Sequence, residues 1–119
     1  MKRLPFKSEH VDAVITGTKR FTSRWGGVAK GHQGYKAGDV VACTAPREID
    51  GKRRPAFLVP AELGFCQAKI VSVTHKKWTD FTAEDAEKCG VSRDWYLQHS
   101  PPPIPDLHFM TTYEFEVTK

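Results

Sequence analysis

The spacing of apolar positions along this chain changes several times, and each change marks an element. Val11, Val14 and Ile15 stand at the i, i+3, i+4 spacing of one helical face. Ser8 ahead of them suits an N-cap, Glu9 the first turn, and Gly17 the position just past the helix end, where a positive φ brings no Cβ strain. From Phe21 the period shortens to two, with Phe21 and Ser23 on one side of a strand and Thr22 and Arg24 on the other. Residues 35–39 read as a turn into Val40-Val41-Ala42-Cys43, an apolar run fit for a buried strand. Phe57-Leu58-Val59 is a short strand candidate stopped by Pro60. Residues 65–75, with Ile70, Val71 and Val73, are the most strand-like stretch. In the last run Phe109, Thr111, Tyr113, Phe115 and Val117 alternate with His108, Met110, Thr112, Glu114 and Glu116, which predicts a half-buried closing strand.

Between these runs lie turn and cap signals. Four glycines among residues 26–34 make a flexible loop that leaves straight from the Thr22–Arg24 strand, as a lid, a rim or a plain exposed loop. It matches neither G-x-G-x-x-G nor a Walker motif. Asp50-Gly51 marks a turn inside residues 46–54, a hairpin or loop with a basic tip. Thr82 with Asp85 three residues on forms a capping-box pattern for a helix closed by Gly90. Ser92 caps a second short helix through Trp95, Tyr96 and Leu97, and the prolines of residues 100–105 form a stiff connector. Strands outnumber helices. The fold class this implies is α+β: a small, partly open β-barrel with flanking short helices.

Composition narrows the setting. A chain of 119 residues, 39% of them apolar, makes one domain, residues 1–119, with a real core. No apolar run approaches the ~20 residues that span a bilayer, and Met1-Lys2-Arg3-Leu4-Pro5 lacks the apolar stretch of a signal peptide. The expectation is a cytoplasmic protein with no membrane partner. Cys43, Cys66 and Cys89 are odd in number and far apart, which fits reduced thiols rather than disulfides or a zinc knuckle. The five histidines show no ligand spacing, so neither a metal nor a cofactor is expected. A net charge of +4 tilts the chain towards anionic partners without demanding them.

The chemistry concentrates where the first helix hands over to the first long strand. Lys19, in the turn, can reach over the face that carries Thr22 and Arg24, with Trp25 next along. Lysine and arginine after a helix end often serve only the macrodipole and solvent. Threonine is likewise an ordinary strand residue, so spacing alone leaves both a site and a solvated turn open. Two further basic groups could meet phosphates: Lys52, Arg53 and Arg54 at the hairpin, and Lys76 and Lys77 before Trp78. Each is equally an ordinary solvated cluster.

Four stretches together resemble the signature of the ASCH family of the PUA-like superfamily. They are Gly17-Thr18-Lys19-Arg20-Phe21-Thr22-Ser23-Arg24, Gly38-Asp39, Phe81-Thr82-Ala83-Glu84-Asp85-Ala86-Glu87-Lys88-Cys89-Gly90 and Tyr113-Glu114-Phe115-Glu116-Val117, in the family's order and spanning nearly the whole chain. The resemblance implies a PUA-like barrel with a cleft between barrel and helices. It also implies one of two functions: an amidohydrolase that removes the acyl group from N4-acetylcytidine or a related N4-acylated cytosine, or an RNA- or nucleotide-binding module, in some members a ribonuclease. By position, Lys19 would be the proton acceptor, Thr22 the nucleophile, and Arg24 the residue that orients the site or holds an anionic group. A threonine hydroxyl needs such a base, and a buried lysine beside an arginine can become one. Backbone amides of residues 17–20 are candidate oxyanion donors. The family's proton-donating glutamate falls on Cys89. Either that thiol or Asp85, one turn earlier on the same helical face, would replace it.

Overall fold

The computed structural model describes residues 1–27 and 34–118. Five strands form one mixed sheet: β1 (Lys2–Pro5), β2 (Phe21–Trp25), β3 (Val40–Thr44), β6 (Cys66–Lys77) and β7 (Phe109–Thr118). Their order across the sheet is β1-β3-β6-β7-β2, with β1 parallel to β3 and every other pairing antiparallel. β4 (Arg47–Ile49) and β5 (Lys52–Arg54) pair as a separate hairpin. Its turn residues Asp50 and Gly51 both have positive φ, as a two-residue hairpin turn requires. Three short α-helices, α1 (Val11–Ile15), α2 (Ala83–Lys88) and α3 (Arg93–Gln98), and five 3₁₀ turns make up the other regular elements among the described residues. The class is α+β.

The sheet is not closed into a barrel. β1 and β2 are its two edges, and no ladder joins them among the described residues. A bulge in β6 between Ile70 and Ser72 bends the long β6–β7 ribbon. On the inner face Leu4, Val41, Ile70, Tyr113 and Phe115 pack with Phe6 and with Val14 of α1. On the outer face α2 and α3 cover Met110 through Trp78, Phe81, Ala86 and Tyr96, with Trp25 alongside. β7 therefore serves two cores.

Several local expectations change on folding. Ser8 opens a 3₁₀ turn, Ser8–His10, and caps nothing with its side chain; α1 starts only at Val11. Gly17 does take the positive φ that the helix end requires. Residues 57–59 are not a strand: Ala56–Leu58 is a 3₁₀ turn held between Pro55 and Pro60, neither of which has an N–H to give a ladder. Trp78 is core, 3% exposed, with the Arg93 guanidinium 3.9 Å from its ring centroid. Part of the glycine-rich loop, residues 28–33, lies outside the described residues. Among the described residues no helix is long and apolar enough to cross a membrane.

Candidate functional site

The open seam between β1 and β2 is where the site forms. A cleft of about 720 Å³ lies there, bounded by Pro5 and Phe6 on one edge and by Thr22 to Trp25 on the other. The turn after α2 and the first and last turns of α3 close one side with Cys89, Trp95, Tyr96 and His99, while Pro46 and Phe57 at the root of the hairpin close another. The volume falls within the ~300–1,000 Å³ typical of small-molecule sites.

Lys19 reaches the cleft because the end of α1 fixes its backbone. The Gly17 N–H donates to the Val14 carbonyl and the Lys19 N–H to the Ala13 carbonyl, so the chain turns directly into β2. Two of the four candidate oxyanion amides are therefore already committed to the helix end. The Lys19 side chain is 7% exposed, and its ammonium donates to the Cys89 carbonyl at the end of α2. Burial pulls its pKa down to about 8; the Cys89 thiol opposes this and the Arg24 charge adds to it. Thr22 is 6% exposed and lines the same cleft, and its hydroxyl makes no hydrogen bond among the described residues. Lys19 and Thr22 are thus cleft neighbours without a direct bond.

Arg24 crosses the seam. Its guanidinium donates to the Pro5 carbonyl on the opposite edge and lies 5.7 Å from the Phe6 ring centroid. Its Nε is buried with no partner among the described residues. Trp25 leans on Trp78 at 4.8 Å between centroids and donates from its indole N–H to the Tyr96 carbonyl at 3.3 Å.

Cys89 is 1% exposed and lines the cleft, its sulfur 3.2 Å from the Ser23 hydroxyl, which in turn lies 2.6 Å from Thr112 Oγ1. The Tyr96 hydroxyl lies against Cys89 and Ser23, and burial pushes its pKa up. Asp85 is elsewhere. It completes the α2 capping box with Thr82 and takes an ion pair from Lys76 at 2.9 Å, outside the cleft. The same-face argument that set it beside Cys89 fails because Cys89 is the non-helical C-cap of α2, so the 3.6-residue spacing does not extend to it. Lys52, Arg53 and Arg54 are exposed along β5, Lys77 is exposed, and Lys76 is tied to Asp85; none lines the cleft.

Ser23, Tyr96, His10 and Trp95 line the cleft without having been singled out in the sequence. Strand alternation assigns Ser23 to the face away from Thr22. On an edge strand with both faces covered, however, one cleft can wrap the edge and meet residues of both faces. For the α3 residues the available signal was the adjacent aromatic pair Trp95-Tyr96 just beyond Cys89. Among the described residues no group of three or more side chains could hold a metal ion.

The fold is similar to that of a solved structure. The crystal structure of hypothetical protein PH0355 superimposes with a TM-score of 0.64 over 99% of this chain and 100% of its own, at 16% identity. That identity carries the fold alone. No family model and no curated protein matches the sequence.

Proposed function

We propose that the seam cleft is the active site of an amidohydrolase acting on N4-acetylcytidine or a related N4-acylated cytosine nucleoside, within a PUA-like, ASCH-type domain. The observation that carries this reading is the buried Lys19, with its pKa near 8, sharing a nucleoside-sized cleft with the unbonded hydroxyl of Thr22. In the reaction, Thr22 Oγ1 attacks the acyl carbon while the neutral fraction of Lys19 takes the hydroxyl proton. The tetrahedral adduct collapses as the N4 nitrogen takes a proton, from the Lys19 ammonium or the Cys89 thiol, and cytidine leaves. Water then hydrolyses the threonine ester and restores the hydroxyl. Phe6, Trp25, Trp95 and Tyr96 offer the flat apolar walls a pyrimidine needs.

The position of the two basic clusters favours a small substrate over a polynucleotide. An RNA groove would need a continuous basic track into the cleft. β6 instead runs from Cys66, near the hairpin root, to Lys77 at its far end, and neither cluster lines the site.

One observation favours the second reading, a nucleotide-binding module without hydrolysis. Among the described residues no carboxylate lines the cleft, so the proton donor of the family is absent and Asp85 is not near enough to replace it. Incubation with N4-acetylcytidine separates the two readings. Release of cytidine that falls at least ~10² in Thr22→Ala and Lys19→Arg supports the hydrolase. Absence of release, with binding retained, leaves the binding module.

A further inference from the structure

Arg24 is a half-buried cation with no carboxylate counter-ion among the described residues. Its guanidinium donates to one backbone carbonyl, that of Pro5, and its buried Nε has no partner among the described residues. The ionisable groups around it are Tyr35, Tyr113, Tyr96 and Cys43. Burial holds every one of these in its neutral form at neutral pH: it pushes Tyr113 up to about 12 and raises the others as well. No carboxylate forms an ion pair with Arg24 among the described residues, and none lines the cleft. Lys19 adds a second cation on the same wall, and the two charges depress each other's stability as cations. A charge desolvated in this way is normally paired. Here the cleft supplies donors, room and an excess of positive charge, but no acid among the described residues.

We propose that the missing counter-ion comes with the ligand: the natural ligand carries an oxyanionic group, a phosphate monoester or a carboxylate, that docks on Arg24. A phosphate would make the substrate a nucleotide rather than a free nucleoside. A carboxylate would place the charge on the acyl chain. A planar guanidinium fork recognises either oxyanion, and a neutral nucleoside leaves it unpaired. The inference rests on the cleft being the ligand site and not on any hydrolysis within it.

Calorimetric titration of the full chain with four probes tests it: cytidine, cytidine 5′-monophosphate, inorganic phosphate and succinate. None carries an N4-acyl group, so an inactive hydrolase would not affect the result. The expected outcome is cytidine 5′-monophosphate binding at least tenfold tighter than cytidine, with an advantage that shrinks as salt rises. Competition by phosphate identifies the monoester as the source, and competition by succinate alone identifies a carboxylate. Arg24→Gln should remove the preference, and Arg24→Lys should keep part of it. Because either variant could unfold across the seam, the Nε–H resonance of Arg24 in the unaltered protein provides a second reading and should shift on addition of the competing anion. Equal binding of cytidine and its monophosphate with no competition by either anion, or an Arg24→Gln variant that folds and retains the preference, would overturn the proposal.

Discussion

A lysine that is 7% exposed and bonded only to a neutral carbonyl holds its proton poorly. With a pKa near 8, half of Lys19 is neutral at about pH 8. If it is the base for Thr22, kcat/KM for N4-acetylcytidine should rise with pH to a midpoint near 8 and level off above it. A flat profile across pH 6.5–9.5 would remove Lys19 from that role. The same shift has a thermodynamic consequence. Between about 8 and the ordinary lysine value of 10.5 the unfolded chain binds the lysine proton and the folded chain does not, so folding stability should increase with pH through that window. Denaturation midpoints read at pH 7.5 and 10 should show this increase, and Lys19→Met should flatten it.

At the scale of elements, α2 shows how a residue suited to chemistry can be committed to structure. Partial burial of Asp85 would raise its pKa, but the Thr82 amide and the Lys76 ammonium prevail and hold the carboxylate below its ordinary range. Its contribution is therefore present above the unfolded pKa of 3.8 and is lost as pH falls through the lower folded value. Asp85→Asn should cost on the order of 1 kcal/mol in unfolding free energy, the usual worth of a cap, and leave any turnover unchanged. Loss of turnover without loss of stability would reinstate it as the acid. Cys89→Ser in the same assay reads the thiol instead: at least a ~10² fall is expected if the thiol protonates the leaving group. A second element-level constraint is at Gly64, where the chain enters β6. A Cβ there would come 2.8 Å from the Cys43 carbonyl of β3 and 3.3 Å from Ala42 Cβ. Backbone cannot yield cheaply, so Gly64→Ala should destabilise by about 1–3 kcal/mol in chemical denaturation.

For the whole molecule the deciding feature is an open sheet whose edges face each other across a cleft, bridged by one arginine. The root of the basic hairpin closes one side of the cleft, but its cations Lys52, Arg53 and Arg54 line no part of the site. Neutralising Lys52, Arg53 and Arg54 together should leave nucleoside turnover or binding unchanged. If the protein also associates with RNA through that surface, the triple variant should flatten the dependence of affinity on salt, because each lost phosphate contact releases fewer counterions. A triple variant that fails on the nucleoside would show that these cations reach the site after all.

The sequence by itself determined whatever depends on neighbours a few residues apart. Alternation placed β7, the Asp50-Gly51 signal placed the hairpin, Gly17 placed the end of α1, and Thr82 with Asp85 placed the α2 cap, because each is a local backbone or hydrogen-bond requirement. It also brought Lys19, Thr22 and Arg24 to one short segment. The tertiary structure decided which of those side chains lose solvent and what they meet there. Period-two alternation cannot tell that β2 is an edge strand buried on both faces, so Ser23 was set apart from a cleft it helps to line. Helical spacing cannot foresee that Cys89 ends its helix while Asp85 is held at its start. Nor can any spacing show that Arg24 lies among tyrosines and a thiol without an acid in reach, since that depends on β1, β3, β7 and α3 converging from distant parts of the chain. Desolvation is a property of the packed molecule, and it is desolvation that gives Lys19 and Arg24 their chemistry.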